Sequence, residues 1–484
     1  MSSMRIKAIV ICMLILALNW CPSLIYGEGI AVRAHEGERR EGSTIYLTLE
    51  EAINLALKAN RNLLVSQYSL ESQKLSLKSA LSEFELKIMP ATTLGVTGSD
   101  SESDKSLGLG LELQRKFEAG TSLSIEPSVT KDSEYTSGVG LSINQPLLRG
   151  FGREVNLAGI RSAEYSTRTS QRSLYQTMVN TVLETVSAVY QVIKQRELVR
   201  LNESLASKLQ QHADAARIKE KIGLATPMDV YRAEIRLKDV QDSVSSSKQD
   251  LRDAEDRLKI ILALPLESDL DFSAPLEYTP IRLRQRDAVE IAMKNRVELE
   301  QAEDEIRQAQ RNSRIAKHNI LPKLNLVLNY NRFGSSDDFG ESTSLDEASW
   351  GIQLVSSTDV SRTSEKAAYQ QSRINLETAR LNQDARQDEI YRQVRTQLVA
   401  LEAVEKRITI RRDKVTQAEG KMSLATIKFS YGMADNFDLI EAEQELLQAR
   451  VDMLSARIDY VNGIYSLRAV LGTLIERKIG FVKF

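Results

Sequence analysis

The sequence predicts a mainly α-helical protein with a membrane β part, arranged as two pseudo-repeats of one architecture. Three observations carry this expectation. Short blocks alternate apolar and polar residues with period two, a pattern that suits a strand and not a helix. Much longer runs place apolar residues at steps of three and four. Both patterns return in the same order in the second half of the chain.

Composition narrows the classes further. The 484 residues are 42% hydrophobic and 27% charged, too polar for a multi-span helical membrane protein and too apolar for a disordered one. Only 6% are aromatic and 9 are proline, which favours long helices. A formal net charge of −2 gives no general attraction to phosphate backbones, so no nucleic-acid partner is expected.

The first element is a signal peptide over residues 1–27. Arg5 and Lys7 precede an apolar run from Ala8 to Trp20 that is too short to span a membrane comfortably, and Gly27 is a small residue suited to a cleavage site. Trp20 is bulky where a lipid-attachment signal at Cys21 wants a small residue, so Cys12 and Cys21 are read as removed. A mature chain without cysteine has neither disulfides nor thiolate metal sites. Residues 28–45 read as a polar, flexible leader.

The first pseudo-repeat, residues 46–264, opens with Thr48 as a helix N-cap, Glu51 at the capping-box position, and apolar residues Ala52, Leu55 and Ala56 behind them. Strand-like segments follow near 91–99, 105–116, 121–130 and 137–146, with Leu107, Leu109, Leu111 and Leu113 alternating with Gly108, Gly110, Glu112 and Gln114. The polar stretch 99–106 reads as a loop. A helical run from about Asn156 to Ile222 reaches on the order of 100 Å if unbroken. A Gly-centred break and a second long helix follow, with a seam of Leu237, Val240, Val244, Ser247, Leu251, Ala254, Leu258 and Ile261.

A polar stretch over 265–284, with Pro265, Pro275 and Pro280, reads as a linker. The second pseudo-repeat, residues 285–474, repeats the plan. Its first helix, Asp287 to Lys294, aligns with Glu51 to Lys58, and its strands lie about 323–357 with a polar loop at 334–348. Its long helix has a seam of Tyr391, Val394, Leu398, Leu401 and Ile408. The last helix carries two stripes, Leu447, Val451, Leu454, Ile458, Val461 and Tyr465 beside Leu446, Ala449, Met453, Ala456, Tyr460, Leu467 and Val470. Two stripes imply neighbours on both sides. Residues 475–484 form a C-terminal tail.

The period-two blocks fit either a half-buried sheet on a soluble core or a transmembrane barrel. The signal peptide and the small side chains opposite the apolar set favour the barrel. Strands too few to close a barrel alone require other copies, because an open edge cannot face lipid.

In this order the residues resemble the TolC family of outer-membrane efflux and secretion channels, from about Leu47 to Leu474. The carriers are the first helix Leu49-Glu-Glu-Ala-Ile-Asn-Leu-Ala-Leu57, the strand-to-helix junction Gln145-Pro-Leu-Leu-Arg-Gly-Phe-Gly152, and a Gly-x5-Asp-x3-Ala-Glu pattern at Gly223 to Glu234 and again at Gly432 to Glu443. The resemblance implies a homotrimer whose strands form one shared transmembrane β-barrel continuing into a long periplasmic α-helical barrel. Its expected location is the outer membrane of a Gram-negative bacterium, in contact with outer-membrane lipid and extending into the periplasm. It implies a passive conduit of a tripartite efflux or type I secretion system, working with a periplasmic adaptor (membrane fusion) protein and an inner-membrane pump or ABC exporter. The alternative is a soluble periplasmic coiled-coil adaptor or tether without a channel.

Two departures from the family stand out. The first half has four strand-like segments where the best-known members have two, so either the barrel is wider or an extra hairpin extends outward. The second junction reads Val355-Ser-Ser-Thr-Asp359, without the Pro-Leu of the first.

No enzyme is expected. His35, His212 and His318 lie far apart, without HExxH or other ligand spacing, and no phosphate-binding or nucleophile-elbow motif occurs, so no cofactor and no metal are predicted. The functional residues implied by the resemblance lie at the helix breaks. Asp438 and Glu441, three apart on one helix face, and Asp229, the first-half equivalent of Asp438, are the expected pore constriction. Read from position alone, acids in a first helical turn equally complement the helix dipole. Gly223, Leu224, Ala225 and Thr226, with Gly432, Met433, Ala434 and Asp435, match the hairpin tips that meet the adaptor. A Tyr and an Arg that help close the mouth in the family are replaced by Phe429 and Ala434, so closure here would rest on packing and carboxylates.

Overall fold

The alternating blocks and the heptad runs become two kinds of structure in a computed structural model, which describes residues 45–99, 102–223, 225–275, 280–431, 433 and 436–476. The signal peptide with Cys12 and Cys21, His35, nearly all of the leader and the last eight residues lie outside the described residues, as do Leu224, Gly432, Ala434 and Asp435. The chain divides into two compact units. Among the described residues, one comprises 72–168 and 304–381, and the other 45–71, 169–303 and 382–476. Each unit therefore draws on both halves of the sequence.

The first unit holds a six-stranded antiparallel sheet. Its strands are β2 (Lys87–Ser99), β3 (Glu102–Lys116), β4 (Ser122–Lys131), β5 (Tyr135–Pro146), β7 (Leu324–Ser336) and β8 (Glu347–Ser356), in the order β2-β3-β4-β5-β7-β8. Pairs such as Leu107↔Leu94, Leu113↔Ile125, Ile125↔Leu141, Leu141↔Tyr330 and Tyr330↔Trp350 put the apolar set on one face. The opposite face carries Thr93↔Gly108↔Thr130↔Thr136↔Ser335, side chains that are small or polar. Directly opposed residues share a face of the pleat, so one slip of register would turn every apolar residue over. Joining β5 to β7 unites the two halves of the chain.

The expected loops are shorter than the polar sequence suggested. β2 runs to Ser99 and β3 begins at Glu102, because a hairpin ladder continues past the last apolar pair wherever backbone partners remain. In the second half β7 runs to Ser336, and a short α-helix, Phe339–Ser342, capped by Asp338, sits inside the supposed loop.

Both strand-to-helix junctions are pinned by hydrogen bonds, the first mainly through backbone groups and the second through side chains. After β5, Leu147 N donates to Leu324 O at 2.8 Å, Gly152 N to Ala119 O at 2.9 Å, and the Asn156 amide to Gly150 O at 2.8 Å. Gly120, at φ +98°, approaches so closely that an added Cβ would lie 2.5 Å from Gly150 O. After β8, without the Pro-Leu of the first junction, Asp359 accepts from Ser361 N at 3.1 Å, Thr358 Oγ1 accepts from Lys323 N at 2.8 Å, and the Arg362 guanidinium donates to Ile320 O at 3.0 Å. Hydrogen bonds from Ser361 hold the Asp359 carboxyl below its ordinary pKa.

The second unit is helical around a small parallel pair, β1 (Ile45–Thr48) on β6 (Leu270–Ser273), the latter arising within the expected linker. α1 (Leu49–Ala59) starts at the anticipated capping box: Thr48 N donates to Glu51 Oε2 at 2.8 Å and Glu51 N to Thr48 Oγ1 at 3.3 Å. The remaining helices are α2 (Arg61–Leu81), short α3 (Arg153–Asn156), α4 (Ala158–Lys221), α5 (Pro227–Leu262), α6 (Gln285–Asn295), α7 (Val297–Asn319), the short α8 noted above, α9 (Thr363–Ser430) and α10 (Asn436–Val470).

Two cores flank α10. On one side Leu454, Ile458, Val461 and Tyr465 pack with Val186, Val189 and Val192 of α4, Leu258 and Leu262 of α5, and Ala52 and Ala56 of α1. On the other, Met453, Ala456, Tyr460 and Leu467 pack with Ile390, Val394, Leu401 and Ile408 of α9 and Ala288 and Ala292 of α6. The two stripes thus serve two walls. Each fully buried Val or Leu contributes about 1.5–3 kcal/mol relative to exposure, so an Asp at Val189 would break the first core. The α9 seam uses Ile390 in place of Tyr391, which is exposed and outside that core; its hydroxyl accepts from Gln285 at 2.9 Å. A phenol at that point satisfies its polar end at the surface, whereas the neighbouring Ile loses nothing by burial.

Candidate functional site

The functional residues expected from the sequence fall at the ends of α4, α5, α9 and α10. α4 ends where Gly223, at φ +76°, donates its N–H to Glu220 O at 2.9 Å, and nothing lies within 4 Å of an added Cβ. The glycine is therefore required by backbone conformation alone. α5 starts at Thr226 with Pro227 at its first turn. Thr226 N donates to Asp229 Oδ2 at 3.0 Å and Thr226 Oγ1 at 2.7 Å, and these bonds, the side-chain one first, hold the exposed Asp229 carboxyl below its ordinary pKa. Asp229 is thus the acid of a capping box.

The second tip differs. Met433 N donates to Lys428 O at 2.8 Å, closing the end of α9. Asp438 and Glu441 occupy the first two turns of α10, the first exposed and the second half-buried. Glu441 is paired with Lys421 of α9 at 3.4 Å, and the same lysine reaches Glu445 at 2.9 Å. Beside the acids, Leu439 and Ala442 pack on Ala425 and Phe429 of α9. Ile440 joins Val230 and Ala233 of α5 and Leu209 and Ala213 of α4. The first turns of α5 and α10 therefore belong to one packed tip. Ala225, Thr226 and Met433 flank it; Leu224, Gly432, Ala434 and Asp435 fall outside the described residues.

A set of contacts that the sequence reading missed crosses this tip. The Glu443 side chain, 4% exposed, lies 3.3 Å from Lys208 Nζ and 3.6 Å from His212 Nε2, both on α4. At 3.6 Å the second contact is longer than a hydrogen bond. Burial pushes the Glu443 carboxyl up, but His212 and Lys208 more than offset it, and the group titrates below its ordinary value. His212 also meets Phe429 edge to face at 6.4 Å between centroids, and Lys219 Nζ sits 4.2 Å over the same ring. Phe429 thus takes part in a tie between α4 and α9 although it lacks the hydroxyl of a Tyr. The signal was present: Glu443 holds the same place in the Gly-x5-Asp-x3-Ala-Glu pattern as Glu234, which pairs with Arg217 of α4 at 2.7 Å.

Among the described residues no cluster of acids, histidines and cysteines is arranged to hold a metal, and no helix is long and apolar enough to cross a membrane. On the sheet, Leu94, Val96, Trp350, Ile352 and Leu354 are exposed.

Comparison with known proteins decides the family: the profile of outer membrane efflux proteins matches residues 92–264 and 288–473. The chain belongs to the outer membrane efflux protein family. It is 23% identical over 352 residues to the outer membrane efflux protein BepC of Brucella suis, covering 72% of this chain and 75% of that protein. Among solved structures, the outer-membrane channel OprN superposes with a TM-score of 0.69 at 15% identity, covering 88% of this chain and 90% of that one. The CmeC outer membrane channel of Campylobacter jejuni gives 0.68 at 15% identity, covering 89% and 86%. These likenesses establish the TolC-like channel fold, mostly helical with a sheet. An outer-membrane efflux channel is the function of this family, and the soluble tether is set aside.

Proposed function

We propose that this outer membrane efflux protein is a homotrimeric, passive export duct, in which three copies close one transmembrane β-barrel and line a periplasmic α-helical barrel. The observation that carries the reading is the sheet: six strands with one face apolar and open, the other small and polar, and an unpaired edge on β2 and on β8. Leu94, Val96, Trp350 and Ile352 are among its exposed residues. In water such a face is a liability, whereas against hydrocarbon it is required, provided that the edges are closed by further copies.

The reading extends to organisation and partners. The chain would lose residues 1–27 on export, and the two pseudo-repeats would follow each other around the duct; the matching 11-residue helices α1 and α6, each followed after one residue by a longer helix, support the repeat. The tips around Gly223–Thr226 and Gly432–Asp435 would receive a periplasmic adaptor joined to an inner-membrane pump or exporter. Asp438 and Glu441 would form the acidic constriction, while Asp229 closes its own helix cap. The family is one of channel proteins, and no catalytic role is assigned.

The test uses cysteine substitutions at Leu109→Cys and Gly110→Cys in the full chain. A Cβ at Gly110 finds neighbours no closer than 3.6 Å, so the substitution is tolerated. Gly110→Cys should react with a membrane-impermeant thiol reagent and Leu109→Cys should not, in heat-sensitive trimers from the outer-membrane fraction. Equal labelling would refute a barrel strand.

A further inference from the structure

We infer that all six strands of each copy are staves of the barrel wall, so that the trimer closes with eighteen strands through a seam between β8 of one copy and β2 of the next. This rests on the trimeric barrel proposed above and settles between the two roles open to the first hairpin, a place in the wall or an outward extension.

Three features of the hairpin assign it to the wall. First, β3 is paired along both of its edges: to β2 from Lys87↔Gln114 to Ser99↔Glu102, and to β4 from Leu107↔Lys131 to Lys116↔Ser122. A hairpin that left the membrane would release β4 as the edge over the stretch Leu107–Leu113, where the apolar belt lies. Second, the facial division continues without a break onto the hairpin. Ile88, Thr92, Leu94 and Val96 fall in line with Leu107–Leu113, Ile125 and Val129, Leu141 and Ile143, Leu328 and Tyr330, and Trp350 to Leu354. Leu94, Val96 and Trp350 are 79%, 71% and 75% exposed, so the belt reaches both outer edges of the sheet uncovered. Third, the other face is closely packed across the hairpin: a Cβ on Gly108 would touch Thr93 of β2 and Thr130 of β4, each at 3.4 Å.

The same strand count makes the seam self-consistent. Six antiparallel strands place β2 and β8 in opposite directions, so rotation about a symmetry axis sets β8 antiparallel to the neighbour's β2, and the alternation runs unbroken around the ring. An odd number would force one parallel pair per seam. The proline in β2, Pro90, withholds one N–H near the start of the strand and leaves residues 91–99 beyond it, enough for a span of about 9 residues. The occupant of each free edge is therefore a second copy of this chain. With strands about 4.8 Å apart and tilted by about 40°, eighteen close at a backbone radius of about 18 Å, against about 12 Å for the twelve that remain if the hairpin is outside.

Cross-linking distinguishes the two walls. Gln353→Cys on β8 is combined with Ala91→Cys or Thr93→Cys on β2, and separately with Ser124→Cys or Ser128→Cys on β4, all on the small-residue face. The full chain in outer membranes is treated with a short bis-maleimide. Within one copy β8 is separated from β2 by four strands and from β4 by two. A short linker therefore joins neither pair inside a chain, and bands of covalent dimer and trimer report the seam. The β2 combinations are expected to give these bands and the β4 combinations none. Any ladder through β4 would overturn the inference while leaving the trimeric barrel intact. So would the absence of a β2 ladder in protein that still runs as heat-sensitive trimers. Protein that is monomeric and forms no ladder would sink the barrel reading itself.

Discussion

Removing the Lys208 ammonium should loosen the helix tip far more than neutralising the carboxylate that it faces. Glu443 is 4% exposed and Lys208 about half exposed at 3.3 Å, with His212 at 3.6 Å on the other oxygen. At an effective dielectric of about 20 the raw Coulomb attraction over that distance is about 5 kcal/mol. Water at the exposed lysine screens much of it, and the expected net loss on Lys208→Ala is about 1–3 kcal/mol, because a buried charge is left short of a partner. In Glu443→Gln the amide keeps the volume and leaves no charge stranded, so the cost stays within about 1 kcal/mol. Hydrogen exchange of the α10 amides over residues 437–447 reads this directly at pH 7, since opening free energy sets the rate. At about 1.36 kcal/mol per decade, Lys208→Ala should speed exchange about 5- to 150-fold and Glu443→Gln by less than about fivefold. Unchanged exchange in Lys208→Ala, or an equal effect of both variants, would refute the claim that this buried ion pair ties α4 to α10.

Four further outcomes are expected. Because the folded Glu443 carboxyl titrates below its unfolded value of about 4.3, its stabilisation is present above that pH and fades as pH falls through the folded pKa; tip protection should drop below about pH 4.3 in the native protein and much less in Glu443→Gln. Gly223→Val forces a β-branched residue to φ +76°, costing about 1–2 kcal/mol locally, and should abolish export while heat-sensitive trimers persist on gels; full export would remove the tip as an adaptor contact. Thr226→Ala removes the capping box of α5 and should lower stability by about 1 kcal/mol in thermal unfolding. The double variant Asp438→Asn, Glu441→Gln should weaken block by trivalent cations in planar-bilayer recordings; unchanged block would place the constriction elsewhere.

Much of the fold was legible because its signals are local. Thr48 and Glu51 are three residues apart, and a capping box needs nothing else. The two stripes of α10 were readable because a helix with two neighbours must be apolar along two lines, and one core takes Leu454, Ile458, Val461 and Tyr465 while the other takes Met453, Ala456, Tyr460, Leu467 and Val470. At the tips, by contrast, acids that the sequence grouped as one constriction took different duties. Asp229 turns back to its own helix N-terminus, and Glu441 reaches sideways to Lys421 of α9. Chain spacing places an acid on a helix face but does not say which neighbouring helix supplies the cation.

By itself, then, the sequence determined what depends on neighbours along the chain: strand against helix, the caps, the apolar face of each element, the order of elements in the two halves, and the family to which that order belongs. Tertiary structure decided what depends on residues far apart. It paired β5 with β7 across the two halves, drew β6 from the supposed linker onto β1, and chose Ile390 over Tyr391 for the seam of α9. It also brought Glu443 to Lys208 and His212 of a helix more than two hundred positions away. The physical reason is one of range: dihedral preferences and periodic burial act within a few residues, whereas register, ion pairing and the choice of partner strand are set by surfaces that meet only once the chain has folded.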